Sequence, residues 1–210
     1  YVTNQYRNAS NGASDSLLLR NDGSYGYNRQ AYLQFDLSSV TETITAATFD
    51  IGLLYNTPYG SETSTVANFW DIGIYGLADS HTQNLWDEDT LNLHNAQPSS
   101  TYGSSFTSDF SLLGTVNISS LIEGDRITLS NASLLSFLNS DTDDVVTIGL
   151  RRMNTLRTDS SFLLASKEHS DYAGPMLSLE TASVPEPGSL ALLGLGLAGL
   201  GFTRRKHAKV

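Results

Sequence analysis

The chain contains no cysteine. Disulfides, thiolate metal sites and cysteine nucleophiles are thereby excluded. A chain of 210 residues is long enough to hold together by its core, with bound ions as a further staple. Positive charge is also scarce: 12 Lys and Arg face 22 Asp and Glu, for a formal net charge of −10. Four of those bases, Arg204, Arg205, Lys206 and Lys209, and one acid, Glu186, follow Ser183. Residues 1–183 therefore keep eight bases against 21 acids, a net of −13. A surface this acidic is unsuited to phosphate contacts, so nucleic acid is not expected as a partner. Catalytic signatures are missing too. There is no H-E-x-x-H zinc helix and no G-x-S-x-G elbow, and none of His81, His94, His169 and His207 falls in such a motif. A non-catalytic protein is expected.

What is present is clearest at the C-terminus. Val184-Pro185-Glu186-Pro187-Gly188 breaks any strand or helix, because two prolines lack amide donors and glycine follows. An uncharged apolar run, 190–202, comes next, and Arg204-Arg205-Lys206 closes it. Breaker, apolar span and basic stop is the order of a membrane-inserted segment whose C-terminus stays in the cytoplasm. Thirteen helical residues reach roughly 20 Å, against about 30 Å of hydrocarbon. The span is thus suited to temporary insertion as a short transmembrane helix. Gly194-Leu195-Gly196-Leu197-Ala198-Gly199 matches G-x-G-x-x-G, but a proline turn precedes it and no βαβ unit surrounds it, so a dinucleotide site is not implied.

The tail resembles the PEP-CTERM sorting signal of Gram-negative bacteria, with Val184, Pro185, Glu186 and Pro187 as the motif and Arg204 and Arg205 as the basic end. The resemblance implies export, transient insertion in the inner membrane and cleavage by an exosortase-type protease. The product would then reside at the cell surface or in an exopolysaccharide matrix. Tyr1 is not an initiator residue, so an N-terminal leader is expected upstream.

Before the tail, apolar residues alternate with period two. In 30–37, Ala31, Leu33, Phe35 and Leu37 share one face, and Tyr32, Gln34 and Asp36 the other. In 47–55, Ala47, Phe49, Ile51, Leu53 and Tyr55 share a face. In 68–76, Trp70, Ile72 and Ile74 oppose Asp71, Gly73 and Tyr75. Further strand-like runs are 16–20, 112–118, 126–129, 145–150, 161–165 and 176–180. Turn residues at 21–23, 56–60 and 123–125 separate them. One helix is expected over 133–138, capped by Asn131 or Ser130. The pattern predicts an all-β fold, a two-sheet β-sandwich of jelly-roll type with one short helix, over 1–183, followed by the sorting tail at 184–210.

Several segments in order resemble the DNRLRE domain, a β-sandwich module related to carbohydrate-binding modules found beside polysaccharide lyases. They are DSLLLR at 15–20, RQAYLQFDLS at 29–38, ITAATF at 44–49, WDEDT at 86–90 running on to NAQP at 95–98, and FLLASKE at 162–168 followed by PML at 175–177. The chain departs from the family at Leu91, where a second tryptophan is common. The resemblance implies contact with extracellular polysaccharide.

Sugar binding needs exposed aromatic faces flanked by hydrogen-bonding groups. Tyr25 and Tyr27 in a glycine-rich loop, and Tyr32 and Tyr75 on apparent outer strand faces, are the candidates. Arg29, Arg151 and Arg152 are suited to carboxylated sugars. Long-range repulsion from a −13 body disfavours acidic glycans, so a neutral glycan, or an acidic one bridged by calcium, fits better. Trp70 and Trp86 read as core residues. Calcium is the cofactor for which the acidic loops are suited, with Asp15, Asp141, Asp143 and Asp144 as ligands. The alternative function is a structural or adhesive surface protein without glycan binding. A lyase or hydrolase would need a deep cleft with converging His, Tyr, Arg or acidic groups.

Overall fold

A computed structural model describes residues 2–3, 10–21, 28–55, 69–79, 86–92, 96, 106, 109–154 and 161–182. Ten strands and one helix follow in order. They are β1 (Val2–Thr3), β2 (Ser16–Leu19), β3 (Arg29–Asp36), β4 (Ile44–Tyr55), β5 (Asp71–Leu77), β6 (Phe110–Asn117), β7 (Arg126–Leu129), α1 (Ala132–Asn139), β8 (Val145–Arg152), β9 (Phe162–Ala165) and β10 (Met176–Thr181). They form two antiparallel sheets. One has the order β1-β3-β8-β5-β6; the other has β10-β4-β9-β2, with β7 also paired to β4. The fold is mostly β with one short helix, consistent with a β-sandwich.

Period-two alternation explains the core between the sheets. Ala31 and Leu33 of β3, Phe49, Ile51 and Leu53 of β4, Ile72 and Ile74 of β5, and Val146, Ile148 and Leu150 of β8 are all buried in one cluster. Tyr55, expected on the same face, is instead 43% exposed. The cause is an irregularity in the β4–β9 register between Leu53 and Tyr55, which turns the last residues of β4 out of the alternation. The helix begins where capping chemistry places it. Asn131 is extended, and its Oδ1 accepts the Leu134 amide at 2.8 Å, a cap worth about 1 kcal/mol. At the turn between β6 and β7, Gly124 has φ of 91°, which glycine adopts without steric cost.

The first sheet is covered on its outer face as well. Tyr32, Gly149 and Tyr75 lie side by side on β3, β8 and β5. A Cβ on Gly149 would stand 2.6 Å from Phe106 Cζ and 3.0 Å from Phe110 Cε1. The bare backbone therefore leaves the space that Phe106 occupies. Around it Tyr32, Leu77, Leu91, Ala96 and Phe110 form a second buried cluster, with Tyr75 and Trp86 packed against it. Described residues of the connection from β5 to β6, Leu91, Ala96 and Phe106 among them, thus pack over its own sheet. β8 is accordingly buried along most of its length, including Thr147 on the outer side.

Replacing Gly149 by alanine should push Phe106 off the sheet and destabilise the fold by about 1–3 kcal/mol. Urea unfolding of G149A against wild type measures this; an unchanged midpoint would show that the aromatic cover is not tightly packed.

Candidate functional site

The outer-face cluster decides which of the expected aromatic residues reach solvent. Tyr32 is only 5% exposed, so it is not an open platform. Its ring packs edge-on against Phe106 and Phe110, and its hydroxyl donates to Gln30 Oε1 at 3.3 Å. Tyr75 is half-buried beneath Phe106, 4.9 Å between centroids, with its hydroxyl 3.3 Å from the Met153 sulfur. Period two identifies an outer face but cannot say that a distant connection covers it. Tyr25 and Tyr27 lie outside the described residues.

The arginines divide similarly. Arg152 is fully buried, with its guanidinium carbon 4.5 Å and 4.9 Å from the Phe69 and Phe162 ring centroids. It points inward because it follows Val146, Ile148 and Leu150 on the same face of β8, and it closes one end of the core by cation–π contact. It is thus removed from the surface role expected of it. Arg151, on the other face, is partly buried beside Tyr75, and burial pulls its guanidinium below the usual range. Arg29 is half-buried where β2 and β3 meet through the Arg20–Arg29 bridge. Trp70 packs on the core as expected, stacked on Phe162 at 6.1 Å.

At the other end of the sandwich lies a cleft of about 390 Å³. Among the described residues β1 pairs with Arg29 and Gln30 alone, which leaves the rest of β3 without a described partner on that side, and β2 ends the order of the other sheet. The cleft opens beside these two strands. Leu17, Leu33, Phe35 and Pro175 supply its apolar surface, and Trp86 and Gln34 stand beside them. Trp86 is half-exposed and held in place, since its indole Nε1 donates to Thr147 Oγ1 at 3.2 Å. It is both a packing residue, as the sequence implied, and a cleft residue.

Three segments far apart in sequence carry the polar rim. Ser10 Oγ donates to the Glu88 carbonyl at 2.6 Å, and a Cβ on Gly12 would stand 2.4 Å from that same oxygen. The 10–12 segment is therefore pressed against the turn that follows Trp86. Within that turn Asp87 Oδ1 accepts the Asp89 amide at 2.8 Å. On the opposite side, Lys167 Nζ lies 2.9 Å from Glu88 Oε1 and also bonds the Glu168 carboxylate. Glu168 and then Glu88 hold the Lys167 ammonium above its usual range. The 166–175 loop is fastened at its far end, where Arg126 pairs with Asp50 and donates to the carbonyls of Ala173 and Gly174. Trp86, Gln34, Glu88, Lys167 and Glu168 were not singled out together as a binding site, because no local pattern joins positions 34, 88 and 167. The one local signal was the tryptophan directly preceding Asp87, Glu88 and Asp89.

A second depression, about 630 Å³, lies between α1 and β6. Serine hydroxyls, Leu112 and Phe137 line it, and it has neither tryptophan nor paired charges. Near its Asp79 end the expected metal ligands partly converge. Asp141 and Asp143 lie with Asp79 so that their carboxylate oxygens are all within 4.8 Å. Asp144 adopts φ of 64° outside this group, and Asp15 is at the start of β2, where its carbonyl accepts the Ser166 amide.

The chain belongs to carbohydrate-binding module family 96, whose family model matches residues 1–142. The PEP-CTERM protein-sorting motif matches residues 183–206, as the sequence implied for Val184, Pro185, Glu186, Pro187, Arg204 and Arg205. That motif marks a secreted protein sorted to the cell envelope. No curated protein matches the chain. The strands continue beyond the family match, since β8, at the centre of the first sheet, and β9 and β10 all follow residue 142. Among the described residues no helix is long and apolar enough to cross a membrane; the expected span at 190–202 lies outside them.

Asp141 provides a pH test. Burial first, then the charges of Asp79 and Asp143, raise its carboxyl from 3.8 to about 6. Because the folded value exceeds the unfolded one, ionisation costs stability. The cost is absent below about pH 4, grows as pH rises, and is complete above about pH 6. D141N should therefore gain melting temperature over wild type across that window and show no such gain below it. A difference that stays constant with pH would contradict the assignment.

Proposed function

We propose that the chain is the exported, non-catalytic glycan-binding module of a bacterial surface or matrix protein, and that the cleft beside Trp86 is its binding site. The observation that carries this reading is an indole fixed at the mouth of a cleft with apolar walls and a rim of carboxylates, an amide and an ammonium. C–H faces of a sugar ring stack on indole, and its hydroxyls find acceptors and donors on the rim. Family membership supports the ligand class.

The sorting motif supports processing by an exosortase-type protease. The remaining parts of the reading follow from the tail sequence: a Gram-negative host, transient inner-membrane insertion through 190–202, and delivery to an exopolysaccharide matrix. The jelly-roll form of the sandwich belongs to the proposal too, supported by the two antiparallel sheets. So does calcium, now with Asp79, Asp141 and Asp143 as ligands. Their close approach, and an Asp141 Oδ1 that is shielded from solvent without a hydrogen-bond partner, support it.

Binding to a panel of soluble neutral, amino and uronic-acid oligosaccharides, by calorimetry on the purified chain, tests the site. Trp86→Ala should weaken whichever interaction is found by about tenfold or more. Trp70→Phe, at the far end of the core, should leave it unchanged. Equal affinity of W86A and wild type would move the site elsewhere. Added calcium should raise the melting temperature, and D79N should abolish that rise; a melting temperature indifferent to calcium and to chelator would remove the ion from the account.

A further inference from the structure

The 166–175 loop follows β9 and supplies Ser166, Lys167, Glu168 and Pro175 to the cleft. Its start is fixed by backbone: the Ser166 amide donates to the Asp15 carbonyl at 3.1 Å, and the Ser166 carbonyl accepts the His169 amide at 3.3 Å. The Glu168 amide donates to Ser166 Oγ at 3.1 Å. Its end is fixed by Arg126, which donates to the carbonyls of Ala173 and Gly174. The middle is fastened by a titratable side chain. His169 Nδ1 accepts the amides of Asp171 and Tyr172, at 3.2 Å and 3.1 Å. Two donors share one lone pair, so Nδ1 carries no proton and the ring is the neutral Nε2–H tautomer. Asparagine or aspartate commonly ties back a turn through its side-chain oxygen. Histidine can do so only while it is uncharged.

Tyr172 carries this tie across to the turn between β6 and β7. Its hydroxyl donates to Glu123 Oε1 at 3.0 Å, its ring covers Gly124, and its centroid lies 5.4 Å from that of His169. The seat of Tyr172 therefore depends on the ring that accepts its amide. His169 is half-buried, so a proton can reach it. Among the described residues, the charged groups nearby are Lys167, Glu168 and Asp171 of its own loop, Glu123 and Asp125 of the β6–β7 turn, and Arg126 of β7 with Asp50 of β4. Lys167 and Arg126 are themselves paired with carboxylates. A charged imidazole is thus not expelled by its neighbours. What the proton removes is the acceptor.

We propose that His169 is an acid-operated latch on the wall of the cleft; its consequence for binding rests on the cleft being the glycan site. With the ring neutral, Asp171 and Tyr172 are tied back and the loop presents Lys167 and Glu168 at the rim. Protonation sets an N–H against two N–H donors, both bonds break, and residues 169–172 are released. The tie is present above the usual histidine range near about pH 6.5 and is lost as pH falls through it. The rim residues directly before His169 then lose the turn that supports them, and the module releases its polymer as its surroundings acidify. His169 acts through the loop and is a positioning residue, not one that touches the sugar.

Nitrogen NMR of the imidazoles and amide hydrogen exchange on the purified full chain, at about pH 7.5 and about pH 5.5, test the latch. At the higher pH, His169 should show a bare Nδ1 and a protonated Nε2. Protection of the Asp171 and Tyr172 amides, corrected for intrinsic exchange, should fall roughly five- to tenfold at the lower pH. H169N offers an amide oxygen that accepts at either pH, so its protection should stay constant. His81, His94 and His207 remain in that variant, so the difference between the two proteins belongs to His169. A protonated Nδ1 at the higher pH, protection indifferent to pH, or an equal fall in H169N would overturn the latch. The first two are read on the wild-type chain and stand even if H169N does not fold. Calorimetry with cellopentaose and with pentagalacturonate, neither of which titrates in this range, reads the consequence. Binding to either should weaken roughly threefold or more at the lower pH in wild type and hold steady in H169N. Affinity that holds in wild type while protection falls would overturn the control of binding. Binding to neither sugar at either pH would defeat the glycan reading and that control with it, while amide protection still decides the latch.

Discussion

The fold turns on the close approach of Phe106 to the bare backbone of Gly149. β8 is the middle strand of its five-stranded sheet, and a side chain at its centre would hold the β5–β6 connection away. Without one, Phe106 reaches the sheet and joins a second small core with Tyr32, Leu91 and Phe110. Two consequences follow from this contact. Tyrosines that would otherwise present open faces become packing residues, and Trp86 packs against the same cluster with its indole bonded to Thr147 of β8. Burying a further apolar cluster also adds core to a domain that has no disulfide, at about 25 cal/mol per Å² removed from water.

Charge is segregated along the sandwich, and the segregation has a structural basis. At one end, Arg152 lies inward between Phe69 and Phe162, where its charge is met by ring faces. At the other, acidic groups collect on loops: Asp87 and Glu88 beside Trp86, Glu168 after β9, and Asp79, Asp141 and Asp143 near α1. Burial, and then the neighbouring charges of Asp79 and Asp143, raise the Asp141 carboxyl, and carboxylates so close favour a counter-ion. The cleft meets that demand internally with Lys167. The Asp141 cluster has no such lysine among its described neighbours, which is why a cation is the natural proposal there.

Strand positions, the Asn131 cap and the sorting motif were legible because each is a local signal. Alternation of apolar residues follows from the pleat, a cap from one side chain and an amide three residues on, and the tail from the order of breaker, span and basic stop. Face assignments held for 31–37 and 70–75 but failed at Tyr55, where an irregular register that leaves no mark in residue type changes the phase. Exposure was less legible than facing. Tyr32 and Tyr75 do point away from the main core, as the sequence indicated, yet the connection above them is contributed by residues more than 30 positions distant or by a single phenylalanine, Phe106. Arg152 could be read as inward from its phase on β8, but only the two rings that receive it explain why it is tolerated there. The cleft was the least legible feature, since Gln34, Glu88 and Lys167 meet only through the topology. Asp79 was missed for the same reason, as it precedes its partners by some 60 residues.

The central claim is that Trp86, packed on the outer-face cluster and bonded to Thr147, is the surface that meets the glycan. With two tryptophans in the chain, fluorine NMR of 5-fluorotryptophan-labelled protein reads it directly. On titration with an oligosaccharide that the chain binds, the Trp86 resonance should shift and saturate, while that of Trp70, stacked on Phe162 at the other end of the core, stays in place. Saturable binding that moves the Trp70 resonance, or neither resonance, would contradict the account.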